Sequence, residues 1–375
     1  MSSKSDRPEI PVVDLSSSSD EEVLVAQIAA ACSEFGFFQV THHGISPSLV
    51  EEYKHQLKLY YDLPHEVKLQ WKRNQANARG YFDDELTKQR RDWKEALDVG
   101  VPNSRDWTIP DDDPQNYCMD GWNQFPSPEI LGNFRSTVVA YFDECARLSD
   151  RLAILMAKGM GRDESEPIIQ DLRKKHSSYL RSNYYPLYQE EIDVPSMEKE
   201  EKEMEKPLGI SPHRDAGYLT ILLQDDDCHS LQVWKDGDWI TVHPIPGAFT
   251  INTGDMAQIW SNGKYKAPLH RVLTHNSKER YSSPFFYNPS YDALIEPILK
   301  ENEEALYHPC LWGYFRAVRF AGDLTDLGVE IQVEDFLKRA KVKSHHIDRQ
   351  LRFSKQVNFT KPFSVEEFRP LLTSS

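Results

Sequence analysis

In the stretch HRDAGYLTIL, residues 213–222, an imidazole and a carboxylate, His213 and Asp215, stand two positions apart just ahead of an apolar run. Side chains at i and i+2 of a β-strand project from one face, so the spacing predicts that both point together at the start of a strand and can share one ion. A third ligand is needed. His270 begins a second short apolar run, HRVL, inside NTGDMAQIWSNGKYKAPLHRVLTHN. Two imidazoles and one carboxylate on one face of an ion, with open positions opposite, suit non-haem Fe(II), whose open positions take O2 and a cosubstrate.

A cation follows. In ERYSS, Arg280 and Ser282 share one strand face. A guanidinium fork binds a carboxylate bidentately and a neighbouring hydroxyl adds a third hydrogen bond, which suits the distal end of a dicarboxylate such as 2-oxoglutarate. On its own, a strand Arg reads as a surface ion pair; the metal face on adjacent strands tips the reading. The adjacent pairs His42, His43 and His345, His346 would diverge in a strand and read as structural or surface residues. His229, His243 and His275 are not separable from ligands by spacing alone.

These residues need a scaffold. The chain has 375 residues, 39% of them hydrophobic, which is enough for one large domain or two modest ones. Its net charge of -15 gives no basic stripe for nucleic acid and disfavours anionic membranes. The opening MSSKSDRPEIPVVDL lacks a signal peptide's apolar centre, and no run approaches the roughly 20 apolar residues that span a bilayer, so a cytoplasmic protein is expected. The five cysteines are scattered, without a CxxC pair, and read as free thiols.

IPVVDL reads as a strand, EEVLVAQIAAACSEFG as a helix stopping at Gly36, and FFQVTHHG as a second strand. Residues 46–72 and 129–159 carry helical periodicity, with Pro64 interrupting the first and Gly159 ending the second. Residues 1–175 therefore read as a largely helical leader. From Tyr179 the texture turns to short β-type runs: SYLRSNYYP, YLTILLQD, LQVWKDGDWITVHP, AFTINTGDMAQIW, HRVLTHN and SSPFFYNP. Asp236-Gly237 marks a hairpin, and the closely spaced strands suggest an antiparallel barrel or jelly roll over 176–300. Residues 301–375 return to helix-like text. The charge-dense insert QEEIDVPSMEKEEKEMEK, 189–206, reads as a solvated loop, with a cover over the pocket mouth as the alternative.

Together these residues resemble the isopenicillin N synthase-like branch of the Fe(II)/2-oxoglutarate-dependent dioxygenases over nearly the whole chain. The pattern HxD…H…RxS is met by His213, Asp215, His270, Arg280 and Ser282, and IPVVDL, GFFQVTHHGI and ARGYF resemble the helical leader. The resemblance implies an α+β chain with a mainly β core, a double-stranded β-helix (jelly roll, cupin-like) flanked by helices. It implies Fe(II), 2-oxoglutarate and O2, with ascorbate as auxiliary reductant, and a monomer acting on a small-molecule substrate in secondary metabolism. It further implies that Tyr185 and Asn183 of NYYP meet the cosubstrate and the metal, and that Tyr81, Phe82, Phe286 and Asn288 wall the substrate pocket. The reaction expected is hydroxylation, desaturation or oxidative ring closure with release of succinate and CO2. An oxidase that dispenses with 2-oxoglutarate, oxidative cyclisation of an amino-acid-derived substrate, and a silent binding protein are the alternatives.

Overall fold

The computed structural model describes residues 9–16, 20–87, 90–187, 208–274, 277–324, 331–339, 344–366 and 369–370. The insert at 189–206 and His275 lie outside the described residues. Along the chain run β1 Val12–Asp14, α1 Glu21–Glu34, β2 Phe37–Thr41, α2 Pro47–Tyr61, α3 His65–Lys68, β3 Gly80–Phe82, β4 Leu86–Thr87, β5 Arg90–Arg91 and β6 Glu95–Gly100. Then come α4 Phe134–Gly159, α5 Pro167–Lys175, β7 Tyr179–Tyr185, β8 Leu208–His213, β9 Leu219–Gln224, β10 Leu231–Lys235, β11 Asp238–Thr241 and β12 Phe249–Thr253. The remainder is α6 Asp255–Trp260, β13 His270–Leu273, β14 Arg280–Tyr287, β15 Leu294–Ile295, β16 Cys310–Leu311, α7 Trp312–Leu324 and α8 His346–Gln356.

Two sheets form the centre, antiparallel throughout except where β1 pairs in parallel with β2. The larger runs β1-β2-β12-β9-β14-β7-β6-β3 and the smaller β11-β10-β13-β8. Four strands come from the largely helical leader, β1 and β2 where strands were expected and β3 and β6 where none was, so the sheet runs across residue 175. Helical periodicity dominates that segment because its strands are short and α1, α2 and α4 are long. α4 buries Phe134, Val138, Tyr141, Cys145, Leu148, Leu152 and Leu155, the three-and-four spacing of one helical face, and packs on α1 and α2. It thereby covers the outer side of the large sheet through contacts with β9 and β14.

Local chemistry sets the turns. Asp236 and Gly237 have φ of 50° and 91°, the two left-handed residues of a type I′ turn, and they join β10 to β11 as a two-residue hairpin. The run AFTINTGDMAQIW divides where a single strand was expected: β12 ends at Thr253 and α6 follows. At the break lies Gly254, where a Cβ would collide with the Gly217 carbonyl oxygen, so the chain must turn away from the sheet there. All five cysteines are free and buried. Among the described residues no helix is long and apolar enough to cross a membrane.

Candidate active site

The space between the two sheets is where the predicted ligands meet. β8 pairs antiparallel with β13 so that His213 faces His270 directly across the ladder. Asp215 does not belong to the strand: β8 ends at His213, and Asp215 sits in the link that crosses from the small sheet to β9 in the large one. Strand alternation is therefore not what aims it. Its backbone carbonyl is fixed by the Asp255 N–H at 2.8 Å, and its Oδ2 accepts from Thr220 Oγ1 at 2.6 Å and Asn252 Nδ2 at 2.7 Å. Oδ1 is left facing both imidazoles, 3.6 Å from His213 Nε2 and 3.6 Å from His270 Nε2.

The donor set fits a divalent metal. His213 Nδ1 donates to the Ser211 carbonyl at 2.8 Å and His270 Nδ1 to the Pro268 carbonyl at 3.1 Å. A carbonyl only accepts, so both protons sit on Nδ1 and both Nε2 lone pairs point inward. Burial, reinforced by neighbouring His270, pushes His213 down to about 3, which keeps it neutral and able to ligate. Burial alone would raise Asp215, but the two imidazoles and the bonds from Asn252 and Thr220 hold it below the usual carboxylate range. The three ligand atoms lie within 4.8 Å of one another, and among the described residues no other group of three or more such side chains is gathered in this way. Two nitrogens and one oxygen on one side suit Fe(II) with open positions toward the cavity.

Across the cavity, β14 and β7 form a second ladder in which Arg280 stands opposite Tyr185 and Ser282 opposite Asn183. Arg280 is 2% exposed, and among the described residues it has no carboxylate within ion-pair distance. Its Nη1 donates to Ser282 Oγ and its Nη2 to Gln224 Oε1, both at 3.2 Å, its Nε has no partner, and its guanidinium lies 4.8 Å from the Tyr185 ring centre. A buried cation without an anion is costly, so the geometry fits an incoming carboxylate. Asn183 Nδ2 donates to Ser282 Oγ at 3.4 Å and its Oδ1 is unpartnered.

Of the four expected pocket walls, Phe286 and Asn288 line the cavity, whereas Tyr81 and Phe82 are not among its lining residues. The Tyr81 hydroxyl donates to Glu95 Oε2 at 2.8 Å, and Phe82 lies under the guanidiniums of Arg73 and Arg181 at 3.6 and 4.8 Å. Both serve the packing of β3 against β6. Of the histidines expected to be structural or surface residues, His42 reaches Asp14 and buried His346 is hydrogen-bonded to the Tyr314 hydroxyl at 2.7 Å; His229 and His243, which spacing left open, meet each other through their Nδ1 atoms at 3.0 Å.

Sequence reasoning missed several lining residues. Trp312, Arg316 and Arg319 reach the cavity from α7, and their spacing of four and three along WGYFRAVRF is a legible helical stripe. It also missed a buried ionic cluster. Lys94 bonds Glu85 at 2.6 Å and Asp92 at 2.9 Å, while Arg181 is bidentate to Asp98 at 2.8 Å and also reaches Glu85. These acids outweigh the burial of Lys94 and keep it charged. Nothing in the spacing of residues 85–98 signals that cluster, since strand pairing brings its members together.

The chain is similar to known proteins over most of its length. Residues 176–289 match the family model of the 2OG-Fe(II) oxygenase superfamily, and residues 10–128 that of the N-terminal region of non-haem dioxygenases in morphine synthesis. Jasmonate-induced oxygenase 2 of Arabidopsis thaliana is 32% identical over 322 residues, 82% of this chain and 78% of that protein. Oxoglutarate-dependent flavonoid 7-O-demethylase 1 of Ocimum basilicum is 30% identical over 297 residues, 77% and 71% of the two chains. The crystal structure of JOX2 in complex with 2OG, Fe and JA superposes with a TM-score of 0.67 at 32% identity, covering 82% of this chain and 84% of that one. The 2-oxoglutarate complex of dioxygenase for auxin oxidation 1 from Arabidopsis thaliana gives 0.60 at 26% identity, covering 79% and 100%.

Proposed function

The chain belongs to the 2OG-Fe(II) oxygenase superfamily, and on that footing we propose that it inserts one oxygen atom into a C–H bond of a small, flat, largely apolar metabolite. The balance is substrate, 2-oxoglutarate and O2 giving hydroxylated product, succinate and CO2. The observation that carries the reading is one cavity with the His213, Asp215 and His270 donors on one side and the buried Arg280 cation on another, its walls shared between apolar residues such as Phe37, Leu222 and Phe286 and charged ones such as Lys94 and Arg316. One relative is named a flavonoid demethylase and the JOX2 structure is a complex with JA, which supports a small-molecule substrate.

Each residue has a task. His213, Asp215 and His270 would hold Fe(II), which when bound activates O2 at the expense of the keto acid. Thr220 and Asn252 fix Asp215 so that Oδ1 alone faces the metal. We assign Arg280 and Ser282 to the distal carboxylate of 2-oxoglutarate, with Gln224 aligning the fork and Tyr185 stacking beneath it. Asn183, opposite Ser282, donates its Nδ2 to the Ser282 hydroxyl and so helps hold that hydroxyl in place. Phe286 and Asn288 form the substrate wall.

The test is product stoichiometry. Purified chain with Fe(II), 2-oxoglutarate, O2 and a panel of flat metabolites should release succinate in step with a product heavier by one oxygen. Product formed without 2-oxoglutarate, or succinate that no panel member stimulates, would overturn the reading.

A further inference from the structure

The inner face of β14 is laid out with period two: Arg280, Ser282, Pro284, Phe286 and, just past the strand's end, Asn288 all line the cavity. On β7, Tyr179, Arg181, Asn183 and Tyr185 do the same, with Tyr179 opposite Phe286. At about 3.3 Å per residue the ladder separates Arg280 from Phe286 by roughly 20 Å, so its far end is free for substrate. That end is aromatic and polar together. Phe286 and Tyr179 rings lie 4.7 Å apart, and α7 brings Trp312 and Arg316 beside them, the Arg316 guanidinium 4.8 Å from the Tyr179 ring centre.

The cations here already have acids. Arg181 is bonded to Asp98 and Glu85, Arg316 to Asp120 and Arg319 to Asp255, while Arg214 donates to the Ala267 carbonyl. At this end the neutral Asn288 has polar atoms without partners. Asn288 is 1% exposed, and neither its Nδ2 nor its Oδ1 has a hydrogen-bond partner. Its backbone is clamped at both ends, the N–H donating to Ser178 Oγ and the carbonyl accepting from Ser177 N–H, each at 3.1 Å. The carboxamide also abuts the metal loop: a Cβ on Gly217, two residues after Asp215, would overlap Asn288 Oδ1. A fixed amide presenting one donor and one acceptor beside an aromatic plate is complementary to a group presenting one acceptor and one donor.

Resting on the oxygenase reading above, we propose that Asn288 determines specificity and that the substrate carries a neutral cyclic amide, a lactam or imide on a flat ring, rather than a carboxylate. A carboxylate offers two acceptors and leaves Asn288 Oδ1 unpaired; a lactam satisfies both atoms of the carboxamide at once. Sites built to hydrogen-bond a group discriminate strongly against analogues that lack it.

The probes are 2-quinolone, a flat neutral lactam, and 2-naphthoate, a flat anion of similar size. They are titrated calorimetrically into the full chain carrying Fe(II) and 2-oxoglutarate without O2. The quinolone should bind at least tenfold more tightly than the naphthoate. Asn288→Asp should weaken quinolone binding at least tenfold. Asn288→Leu, similar in shape and without polar atoms, should lose the same affinity while unfolding at an equal or higher temperature, because it removes an unpaired buried amide. A merely structural Asn288 would give the opposite temperature shift and no change in the quinolone titration. The proposal fails if naphthoate binds equally or better, if neither probe binds the parent chain, or if Asn288→Leu keeps its quinolone affinity. Succinate-coupled oxidation of some other metabolite alongside such a failure would leave the oxygenase reading standing and sink only the lactam assignment.

Discussion

Asp215 has a single oxygen to offer a metal because its other oxygen is engaged by Thr220 and Asn252. Asp215→Ala removes one of only three protein donors, and we expect less than roughly a tenth of the parent's bound iron by metal analysis, with the thermal unfolding midpoint little changed. Iron retained near one per chain would mean that another group ligates it. Arg280 is the residue we assign to the cosubstrate instead. A charge-assisted bond to a carboxylate contributes about 1.5–3 kcal/mol, so Arg280→Ala should weaken 2-oxoglutarate binding by roughly 10- to 150-fold while leaving iron content intact. Unchanged keto-acid affinity in a direct titration would move that carboxylate to another residue. Both residues stand out from the spacing HxD…H…RxS, whereas Thr220, Asn252 and Gln224 do not, because small polar residues inside apolar strands acquire meaning only once their partners are placed.

At the level of elements, α1 ends where it must for the metal strand to be seated. Gly36, just past its last turn, has φ of 67° and donates its N–H to the Ala31 carbonyl at 2.9 Å, a left-handed helix end. A Cβ there would strike the Lys266 carbonyl oxygen and the Pro268 ring. Pro268 also supplies the carbonyl that orients His270. Gly36→Ala should therefore cost about 1–3 kcal/mol of stability from the backbone conformation and, by shifting 266–268, also weaken iron binding. Denaturant unfolding and metal titration read the two effects separately, and a variant with lowered stability but parental iron affinity would show that 266–268 does not transmit the strain. The helix stop at Gly36 is legible in the sequence. Its second duty, leaving room for a segment far along the chain, is a tertiary fact.

Across the whole molecule, buried neutral histidines set an acid limit. Burial, with a smaller effect from adjacent His345, pushes His346 down to about 4; burial and then Arg105 push His176 down to about 3. In the unfolded chain both titrate near 6.5, so the unfolded state takes up protons first as pH falls. The stability these groups contribute is complete above about pH 6.5 and is lost progressively toward pH 4. The unfolding midpoint should fall over that window, and His346→Gln, which keeps an acceptor for the Tyr314 hydroxyl, should flatten the fall. An identical pH slope in parent and variant would remove His346 from the account. By itself the sequence determined the candidate ligands His213, Asp215 and His270, the Arg280–Ser282 pair, the helix stops and the Asp236–Gly237 hairpin, because each is read from residue type and the local run it stands in. Only the tertiary structure decided that Asp215 reaches the candidate metal centre from a crossing link rather than a strand, that α6 replaces the second half of a strand, and that four strands of the leader join the large sheet. It also decided that Tyr81 and Phe82 pack while α7 lends Trp312, Arg316 and Arg319 to the cavity. Those outcomes depend on which surfaces meet across long sequence separations, and the burial, pairing and collisions that fix them exist only once the two sheets close on each other.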